Sequence, residues 1–370
     1  MNSEYTRRGA KYRARWWKKH ILVTVCLAII TPLLCLYTWR ISERMILYVY
    51  RLIMRRGLVV TLDDDGVPIN DYQYLGSVYI GKQRDPITIA QRALVCWDKD
   101  DVYLPHYYPF SDRNKGYDEQ GFLSCVKWIV NNATSRDNYA VWEYNFPYGE
   151  HYNLTAPWRS AMAQGQCIQV LVRAYQLTKD DNYLELARKA LSAFHVEVAN
   201  GGVTLKGDEG WWYEEYACEG GANPRVLNGH IFALEGIHEY YAATNEEEAK
   251  YLFDKGILAL KAHLLDYDSG TWTYYDALGL KATEGYHKLH VTQMLHLYHL
   301  TNDPIFLQYH DRWQTYRLAI FPVRLVKEPT KMNLAIYLSN FVFFLFVVEM
   351  TMALVSRVSG RKMEKHKTKR

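Results

Sequence analysis

Three segments between predicted helices concentrate side chains that can act on a sugar. They are Pro157–Gln166, Gly210–Tyr216 and the stretch from Thr273 to His290. Within them Glu215 can transfer a proton, Tyr hydroxyls can donate hydrogen bonds, and Trp and Tyr rings can stack on a pyranose. Binding and catalytic residues concentrate in loops held by a rigid scaffold. We therefore expect a site where these segments meet.

The elements that must position these loops are helical. From Ser160 onward the apolar residues recur with helical spacing, and Leu177–Asp180 is loosely repeated at Leu300–Asp303, each time at the end of one helix and the start of the next. Recurring helix pairs predict a mainly α fold, an incomplete α/α toroid over residues 151–320. Residues 57–150 are expected to form a small N-terminal β-hairpin region with a helical lead-in.

Two apolar runs flank this body. Residues 21–39 contain no charge and residues 333–355 contain only Glu349, so each is long enough to cross a bilayer as a helix. Residues 40–56 continue the first run as a predicted juxtamembrane helix. For Glu349, packing against the first span is the more ordinary explanation, and an intramembrane site is the alternative.

Charge is distributed unevenly along the chain. Residues 1–20 and 356–370 each carry +6, and since the whole chain carries +4, residues 21–355 carry −8. Basic flanks stay in the cytosol, which predicts two cytosolic tails and a double-pass protein whose body lies outside the cytosol. That location is the Golgi lumen in a eukaryote or the cell surface in a prokaryote. The acidic body argues against a nucleic-acid partner.

Composition adds two expectations. Aromatic residues make up 15% of the 370 residues, with 31 Tyr and 11 Trp, which favours surfaces that stack on sugar rings. Four cysteines outside the apolar runs, namely Cys96, Cys125, Cys167 and Cys218, allow three pairings that the sequence leaves open. The expected partners are an acidic polysaccharide and the membrane, with a homodimer as a further option.

Six blocks stand in order across about 130 residues. They are Ser160–Gln166, Val172–Tyr175, Trp212–Tyr216, Val226–Gly229, Tyr275 with Asp276, and Tyr286 and His287 with His290. Together they resemble the D-glucuronyl C5-epimerase family of heparan sulfate and heparosan processing, and their number and order make the match specific.

The resemblance implies an isomerase that converts D-glucuronate to L-iduronate within a polysaccharide, without an organic cofactor or a metal. Removing the C5 hydrogen next to a carboxylate needs a base on one ring face and an acid on the other. The resemblance assigns Glu215 as base, Tyr286 as acid, and Tyr216 and Tyr275 as donors to the enolate-like carboxylate. The predicted substrate-binding residues are Trp158, Arg159, Gln164, Gln166, Asn228, His287, Lys288 and His290.

One departure concerns the charge that neutralises the substrate. In the animal enzymes an Arg follows the Tyr-Asp pair, whereas here Tyr275 and Asp276 are followed by Ala277 and Leu278. Lys288, His290 or Arg159 would have to supply the cation.

Three alternatives remain open at the level of sequence. A polysaccharide lyase also removes the C5 proton but then expels the C4 substituent. A glycoside hydrolase would use paired carboxyls such as Glu215 and Asp276. A non-catalytic polysaccharide-binding protein would result if the tyrosines do not converge.

Overall fold

The computed structural model describes residues 2–53, 59–75, 78–97, 117–148, 152–316, 321–327 and 330–367. It divides into two compact units, Met1–Tyr50 with Leu318–Arg370, and Arg51–Arg317. The end of the predicted 40–56 helix at residues 54–56 lies outside the described residues, as do 57–58, 76–77, 98–116 and 149–150 of the predicted 57–150 region.

Helices dominate both units, which confirms the mainly α fold class. The helices are α1 (Asn2–Ile53), α2 (Pro86–Trp97), α3 (Glu119–Asn131), α4 (Ala161–Thr178), α5 (Asp181–Ser192), α6 (Leu227–Thr244), α7 (Glu247–His263), α8 (Glu284–Thr301), α9 (Pro304–Tyr316), α10 (Phe321–Lys327) and α11 (Lys331–Lys367). The strands are β1 (Val59–Leu62), β2 (Pro68–Asp71), β3 (Tyr74–Leu75), β4 (Val78–Tyr79), β5 (Lys82–Gln83), β6 (Thr134–Ser135), β7 (Ala140–Val141), β8 (Glu143–Tyr144), β9 (Trp158–Arg159), β10 (Thr204–Gly207) and β11 (Gly210–Tyr213).

The first unit contains the two apolar helices. By length and composition alone, His20–Tyr50 of α1 and Lys331–Val355 of α11 could each cross a membrane. The predicted span and the predicted juxtamembrane helix are parts of one continuous helix, α1. The helix continues past the apolar run because its main-chain hydrogen bonds form whatever the polarity of the side chains. The helices touch through polar groups: His20 Nδ1 lies 2.7 Å from Glu349 Oε1, and Thr38 Oγ1 donates to Asn340 Oδ1 at 2.6 Å. Glu349 therefore packs against the first apolar helix.

The second unit begins with the expected small β region. Strands β1, β2 and β5 form an antiparallel sheet, with Thr61 opposite Ile69 and Asn70 opposite Gln83. The remaining strands pair antiparallel in twos: β3 with β4, β6 with β7, β8 with β9, and β10 with β11. These short pairs lie between the helices and carry the irregular segments of the site.

The helices of the second unit form the predicted incomplete α/α toroid. The hairpins α4–α5, α6–α7 and α8–α9 stand side by side, with α4 against α6 and α6 against α8. The lead-in helices α2 and α3 form a further pair, and α2 packs on α4, so the ring extends beyond the N-terminal boundary at residue 151 that the sequence predicts. Two thirds of the residues of α4, of α6 and of α2 are buried, so these helices form much of the core.

The same turn closes all three hairpins. Lys179, Asn245 and Asn302 adopt left-handed backbone conformations, with φ of 60°, 61° and 56°, at the C-caps of α4, α6 and α8. A Thr precedes each of them, and its hydroxyl accepts the N–H of the acidic residue that starts the next helix. Sequence analysis found two copies of this turn and missed the third, at Ala243–Glu246, where Glu replaces Asp.

Helices α4 and α6 approach so closely that glycine is required at their contact. A Cβ on Gly236 would lie 2.2 Å from the Gly165 carbonyl oxygen, and a Cβ on Gly165 would lie 2.7 Å from Ala233 Cα. Both obstacles are backbone atoms, which cannot rotate away. The close contact fixes the spacing between two helices whose first turns carry site residues.

We expect Gly236→Ala to destabilise the protein by about 3 kcal/mol, because the new methyl group must push two buried helices apart. Thermal unfolding of the purified chain in detergent should show a Tm lower by roughly 5 to 10 °C. Gly207→Ala is the matched control, since its Cβ would meet only the Gly210 carbonyl oxygen, at 3.5 Å. Equal melting of the two variants would contradict the close packing.

Candidate active site

The second of the three site segments, Gly210–Tyr216, is fixed against the start of α4 by main-chain hydrogen bonds. Arg159 and Ala217 exchange two N–H···O bonds of 2.9 Å, and the Ala161 N–H donates to the Glu214 carbonyl at 2.9 Å. Ser160 caps α4 by accepting the Ala163 N–H. Glu215 and Tyr216 are thereby held beside the first turn of α4.

The third site segment, Thr273–His290, is fixed at the starts of α6 and α8. The Leu227 N–H donates to the Tyr275 carbonyl at 3.1 Å, which attaches Tyr275 to the start of α6. Thr283 caps α8 and places Tyr286 in its first turn. The three segments therefore meet where the inner helices α4, α6 and α8 begin.

Three of the predicted catalytic residues contact one another. The hydroxyls of Tyr216 and Tyr275 lie 3.3 Å apart, and the rings of Tyr275 and Tyr286 meet edge to face with centroids 4.6 Å apart. Burial first, and the nearby Glu215 carboxyl second, raise the pKa of Tyr216 and of Tyr275 well above 10. Both phenols are therefore neutral hydrogen-bond donors at neutral pH, and Glu215 lies among them.

Glu215 is a buried carboxyl whose hydrogen bonds only partly offset the cost of its burial. Its side chain is 5% exposed and packs over Gly229, where a Cβ would lie 2.2 Å from Glu215 Oε2. Asn228 Nδ2 donates to Glu215 Oε2 across a long 3.5 Å contact. Burial, with the neighbouring Glu214 carboxyl second, raises the pKa of Glu215 to about 8. This value suits a group that gains and loses a proton near neutral pH.

Glu214 has a different role, which sequence analysis did not assign. Its carboxyl accepts the N–H of Tyr216 at 3.1 Å and the N–H of Arg225 at 2.8 Å. Burial raises the pKa of Glu214 to about 7, and the two backbone N–H groups oppose that rise. Glu214 thus fastens the segment that presents Glu215.

Two further tyrosines, Tyr148 and Tyr152, join the group without having been predicted. Tyr148 stacks on Tyr216 with ring centroids 5.9 Å apart, and the Tyr152 ring centroid lies 4.9 Å from that of Tyr216. Burial, with Asp85 and then Glu215 contributing, raises the pKa of Tyr148 to about 12. The high tyrosine content of the chain was the only sequence signal for them.

Asp276 has a structural role in its own loop, the one that follows Tyr275. Its carboxyl accepts the Tyr152 hydroxyl at 2.6 Å and the N–H groups of Leu278 and Leu280 at 3.1 and 2.9 Å, and the residue is 1% exposed. These bonds hold the turn that follows Tyr275. They leave Asp276 poorly placed as the second carboxyl of a glycoside hydrolase.

Three predicted substrate-binding residues lie inside the protein. Trp158 stacks on Tyr144 at 3.8 Å and donates its indole N–H to the Phe146 carbonyl. Arg159 is 2% exposed and pairs with Glu219 at 2.8 Å, with Glu143 3.9 Å away. Gln164 donates to the carbonyls of Ala140 and Ala190. These contacts support the loops and helices around the site, and the predicted contacts with substrate remain predictions.

Gln166 and Asn228 are buried amides with unmet hydrogen-bonding capacity. Neither amide atom of Gln166 has a partner among the described residues, and the same holds for Asn228 Oδ1. Buried polar atoms are normally satisfied, so ordered water or a bound hydroxyl group is needed to complete them. Both residues lie on inner helices, and Asn228 contacts Glu215, which is compatible with its predicted role.

His287 and His290 face the helical core. Their Nδ1 atoms lie 2.9 and 3.1 Å from the single hydroxyl of Thr273, and His287 Nε2 lies 3.1 Å from the Trp313 carbonyl oxygen. Burial lowers the pKa of His290 to about 3, so His290 is neutral at pH 7. Within the described ranges no three potential metal ligands come together.

Lys288 lies on a different side of helix α8 from the predicted acid. It lies two residues after Tyr286 within α8, and two residues correspond to about 200° around a helix. Tyr286 instead shares its face with Leu289, which packs in the same cluster with Met162 and Phe232. This geometry disfavours the expectation that Lys288 reaches the pocket of Tyr286.

Comparison with known proteins agrees with this arrangement. A family model described as D-glucuronyl C5-epimerase C-terminus matches residues 136–315. An uncharacterized protein of Methanocaldococcus jannaschii is 34% identical over 270 residues, or 69% of this chain and 84% of that protein. The D-glucuronyl C5-epimerase of Caenorhabditis elegans is 30% identical over 294 residues, or 68% of this chain and 47% of that enzyme. The chain thus spans about half the length of the nematode enzyme.

Solved structures with some likeness include two carbohydrate-active enzymes. A family 76 α-mannanase of Bacteroides thetaiotaomicron matches with a TM-score of 0.42 and 12% identity, covering 78% of this chain and 72% of that chain. A cellobiose 2-epimerase of Bacillus thermoamylovorans matches with a TM-score of 0.40 and 10% identity, covering 71% of this chain and 76% of that chain.

The family model spans the segments that bring Glu215, Tyr216, Tyr275 and Tyr286 together. Together with the identity to the nematode enzyme, it shows that this chain belongs to the D-glucuronyl C5-epimerase family, a family of carbohydrate epimerases.

Proposed function

We propose that this protein inverts C5 of D-glucuronate residues within a polysaccharide, giving L-iduronate. The observation that carries the proposal is the buried Glu215 carboxyl beside the hydroxyls of Tyr216 and Tyr275 and the ring of Tyr286. Glucuronate C5 epimerisation needs a proton acceptor, a proton donor and groups that stabilise an enolate, and these side chains provide all three.

In the proposed reaction the ionised Glu215 carboxylate takes the C5 proton. The electron pair of the broken C–H bond moves toward C6, which makes the substrate carboxylate enolate-like and more negative. The neutral hydroxyls of Tyr216 and Tyr275 donate hydrogen bonds to that charge. Tyr286 then delivers its phenolic proton to C5 from the opposite face, and exchange with solvent restores Glu215 and Tyr286.

The substrate we propose is a glucuronate polymer with little sulfate. Residues 21–355 carry −8, which disfavours a heavily sulfated chain. Heparosan, the unsulfated polymer processed by the family, meets this condition better than heparan sulfate.

We also propose membrane anchoring through the apolar parts of α1 and α11, with both basic tails in the cytosol and the toroid outside it. The two apolar helices and the +6 charge of each tail support this topology. Homodimer formation stays a prediction.

Incubation of the purified chain with heparosan in deuterated water tests the reaction. We expect deuterium at C5 of both glucuronate and iduronate residues, with the polymer length unchanged, because proton removal and return occur without bond cleavage. Nuclear magnetic resonance of the digested polymer measures the label.

Other outcomes would assign a different reaction. A new unsaturated uronate end would indicate a lyase, which shares the first step, and a new reducing end without unsaturation would indicate a hydrolase. Binding without label or cleavage would leave a polysaccharide-binding protein.

Variants test the assigned roles. We expect Glu215→Gln and Tyr286→Phe each to lower the exchange rate by about 10² to 10⁴, because each removes one of the two proton-transfer groups. Tyr275→Phe should slow exchange less, since it removes one of several donors to the developing charge. Deuterium incorporation per unit time, at saturating heparosan, is the measurement.

Matched controls lie on the outer helices. Glu185→Gln on α5 and Tyr251→Phe on α7 change the same chemical groups away from the site, and both parent residues are at the protein surface. Their exchange rates should equal that of the unaltered chain. Full activity in both Glu215→Gln and Tyr286→Phe would remove these residues from the mechanism.

The pH dependence tests whether Glu215 is the base. Because its pKa is raised to about 8, the ionised fraction grows as pH rises toward that value. The exchange rate should therefore rise about tenfold per pH unit below the pKa and level off above it. A rate that falls as pH passes through 8 would make Glu215 the acid instead.

A further inference from the structure

A second cleft opens beside the β10–β11 hairpin, apart from the tyrosine site. Its volume is about 460 Å³, and it is lined by the hairpin turn 207–210, by Trp212 and Arg225, and by Ala259 and His263 of α7. Clefts of roughly 300 to 1,000 Å³ accommodate small ligands. None of the residues assigned to the proposed reaction lines it.

Two adjacent glutamates separate the cleft from the tyrosine site: Glu214 lies next to the cleft, and Glu215 lies in the tyrosine site. The Glu214 carboxyl accepts the Arg225 N–H, on the side of the cleft, whereas Glu215 packs over Gly229. A ligand in the cleft would therefore contact the supports of Glu214 without meeting Glu215.

The inner part of the cleft offers two hydrogen-bond donors, the Arg225 guanidinium and the Trp212 indole N–H. Among the described residues no carboxylate lies within 4.0 Å of the Arg225 guanidinium, whose Nη1 faces His263 Nε2 at 3.5 Å. The Trp212 side chain is 2% exposed, and its indole N–H has no partner in the described structure. The rings of His230 and Tyr267 both stack on Trp212, with ring centroids 4.0 and 5.7 Å from that of Trp212. A ligand can therefore contact Trp212 only at its ring edge, which carries the indole N–H.

Arg225 is held in position before any ligand binds. Its N–H is bonded to Glu214, and its carbonyl accepts the Tyr267 hydroxyl at 2.6 Å. With the main chain fixed on both sides, less conformational freedom is lost when the guanidinium binds an anion. A planar guanidinium also matches the two oxygens of a carboxylate.

The rim of the cleft is acidic, in contrast to the hydrogen-bond donors of its inner part. Asp208 and Glu209 are exposed in the hairpin turn, and Glu209 Oε2 lies 3.8 Å from His263 Nε2. Carboxylates at a rim accept hydrogen bonds from sugar hydroxyls, while the donors below would repel a cation. The lining therefore fits a ligand with a negative group at one end and hydroxyls at the other.

We propose that this cleft is a second, non-catalytic binding site for a carboxylate-bearing sugar, with the carboxylate on Arg225 and the Trp212 indole N–H and the hydroxyls on Asp208 and Glu209. The choice of a uronate rests on the proposed function, whereas the anion-binding chemistry rests on the cleft itself. The site would hold a uronate residue that is not being epimerised.

Equilibrium dialysis of labelled D-glucuronate against the full chain in detergent tests the proposal. We expect saturable binding at millimolar concentration that unlabelled glucuronate displaces and glucose does not. Arg225→Gln and Trp212→Phe should each weaken binding by about tenfold, because each removes a hydrogen-bond donor to the carboxylate. Circular dichroism and Tm of each variant check that it folds.

A control on another surface locates the site. Arg188→Gln removes an exposed arginine of α5 and should bind glucuronate like the unaltered chain. Acetate, which carries the carboxylate without the sugar, should displace glucuronate only at much higher concentration.

Several results would overturn the proposal. They are no saturable binding to the unaltered chain, undiminished binding in both folded cleft variants, or displacement by acetate as effective as by glucuronate. Failure of the proposed reaction is a separate observation, because deuterium exchange at C5 is measured on the polymer. A chain that exchanges deuterium but fails the dialysis test would lose only the second site.

Discussion

The burial of two adjacent carboxyls, Glu214 and Glu215, is the constraint on which the site depends. Burial raises the pKa of both groups, but their surroundings differ. Glu214 is bonded to two backbone N–H groups and so anchors the segment, whereas Glu215 interacts with side chains, with the Tyr216 hydroxyl and across a long contact with Asn228. One carboxyl thus supports the structure and its neighbour is left free to exchange a proton.

The toroid turns this local arrangement into a site. Three hairpins closed by the same Thr and left-handed residue place the first turns of α4, α6 and α8 at one end of the ring. Long-range main-chain bonds, from Arg159 to Ala217 and from Leu227 to Tyr275, then fasten the irregular segments to those turns. The glycine contact between α4 and α6 sets the distance across which these segments meet.

The structure constrains the residues proposed to replace the missing arginine. Arg159 pairs with Glu219, burial keeps His290 neutral, and Lys288 lies on a different side of α8 from Tyr286. What the site offers a carboxylate is a group of neutral phenols together with Glu215, which is mostly protonated at pH 7 because its pKa is about 8. Removing resident negative charge lowers the cost of admitting an anion, which is one function that a cation would otherwise serve.

The sequence by itself determined the helical architecture and the two apolar helices, and the family resemblance predicted a shared site for Tyr216, Tyr275 and Tyr286. Apolar periodicity and ordered motifs report such features because they follow from local spacing along the chain. Only the tertiary structure decided which way side chains point. It buried Trp158 and Arg159, bonded Asp276 into its own turn, and brought Tyr148 and Tyr152 to Tyr216. Those outcomes depend on helix rotation and on hydrogen bonds between residues far apart in sequence, which no local pattern encodes.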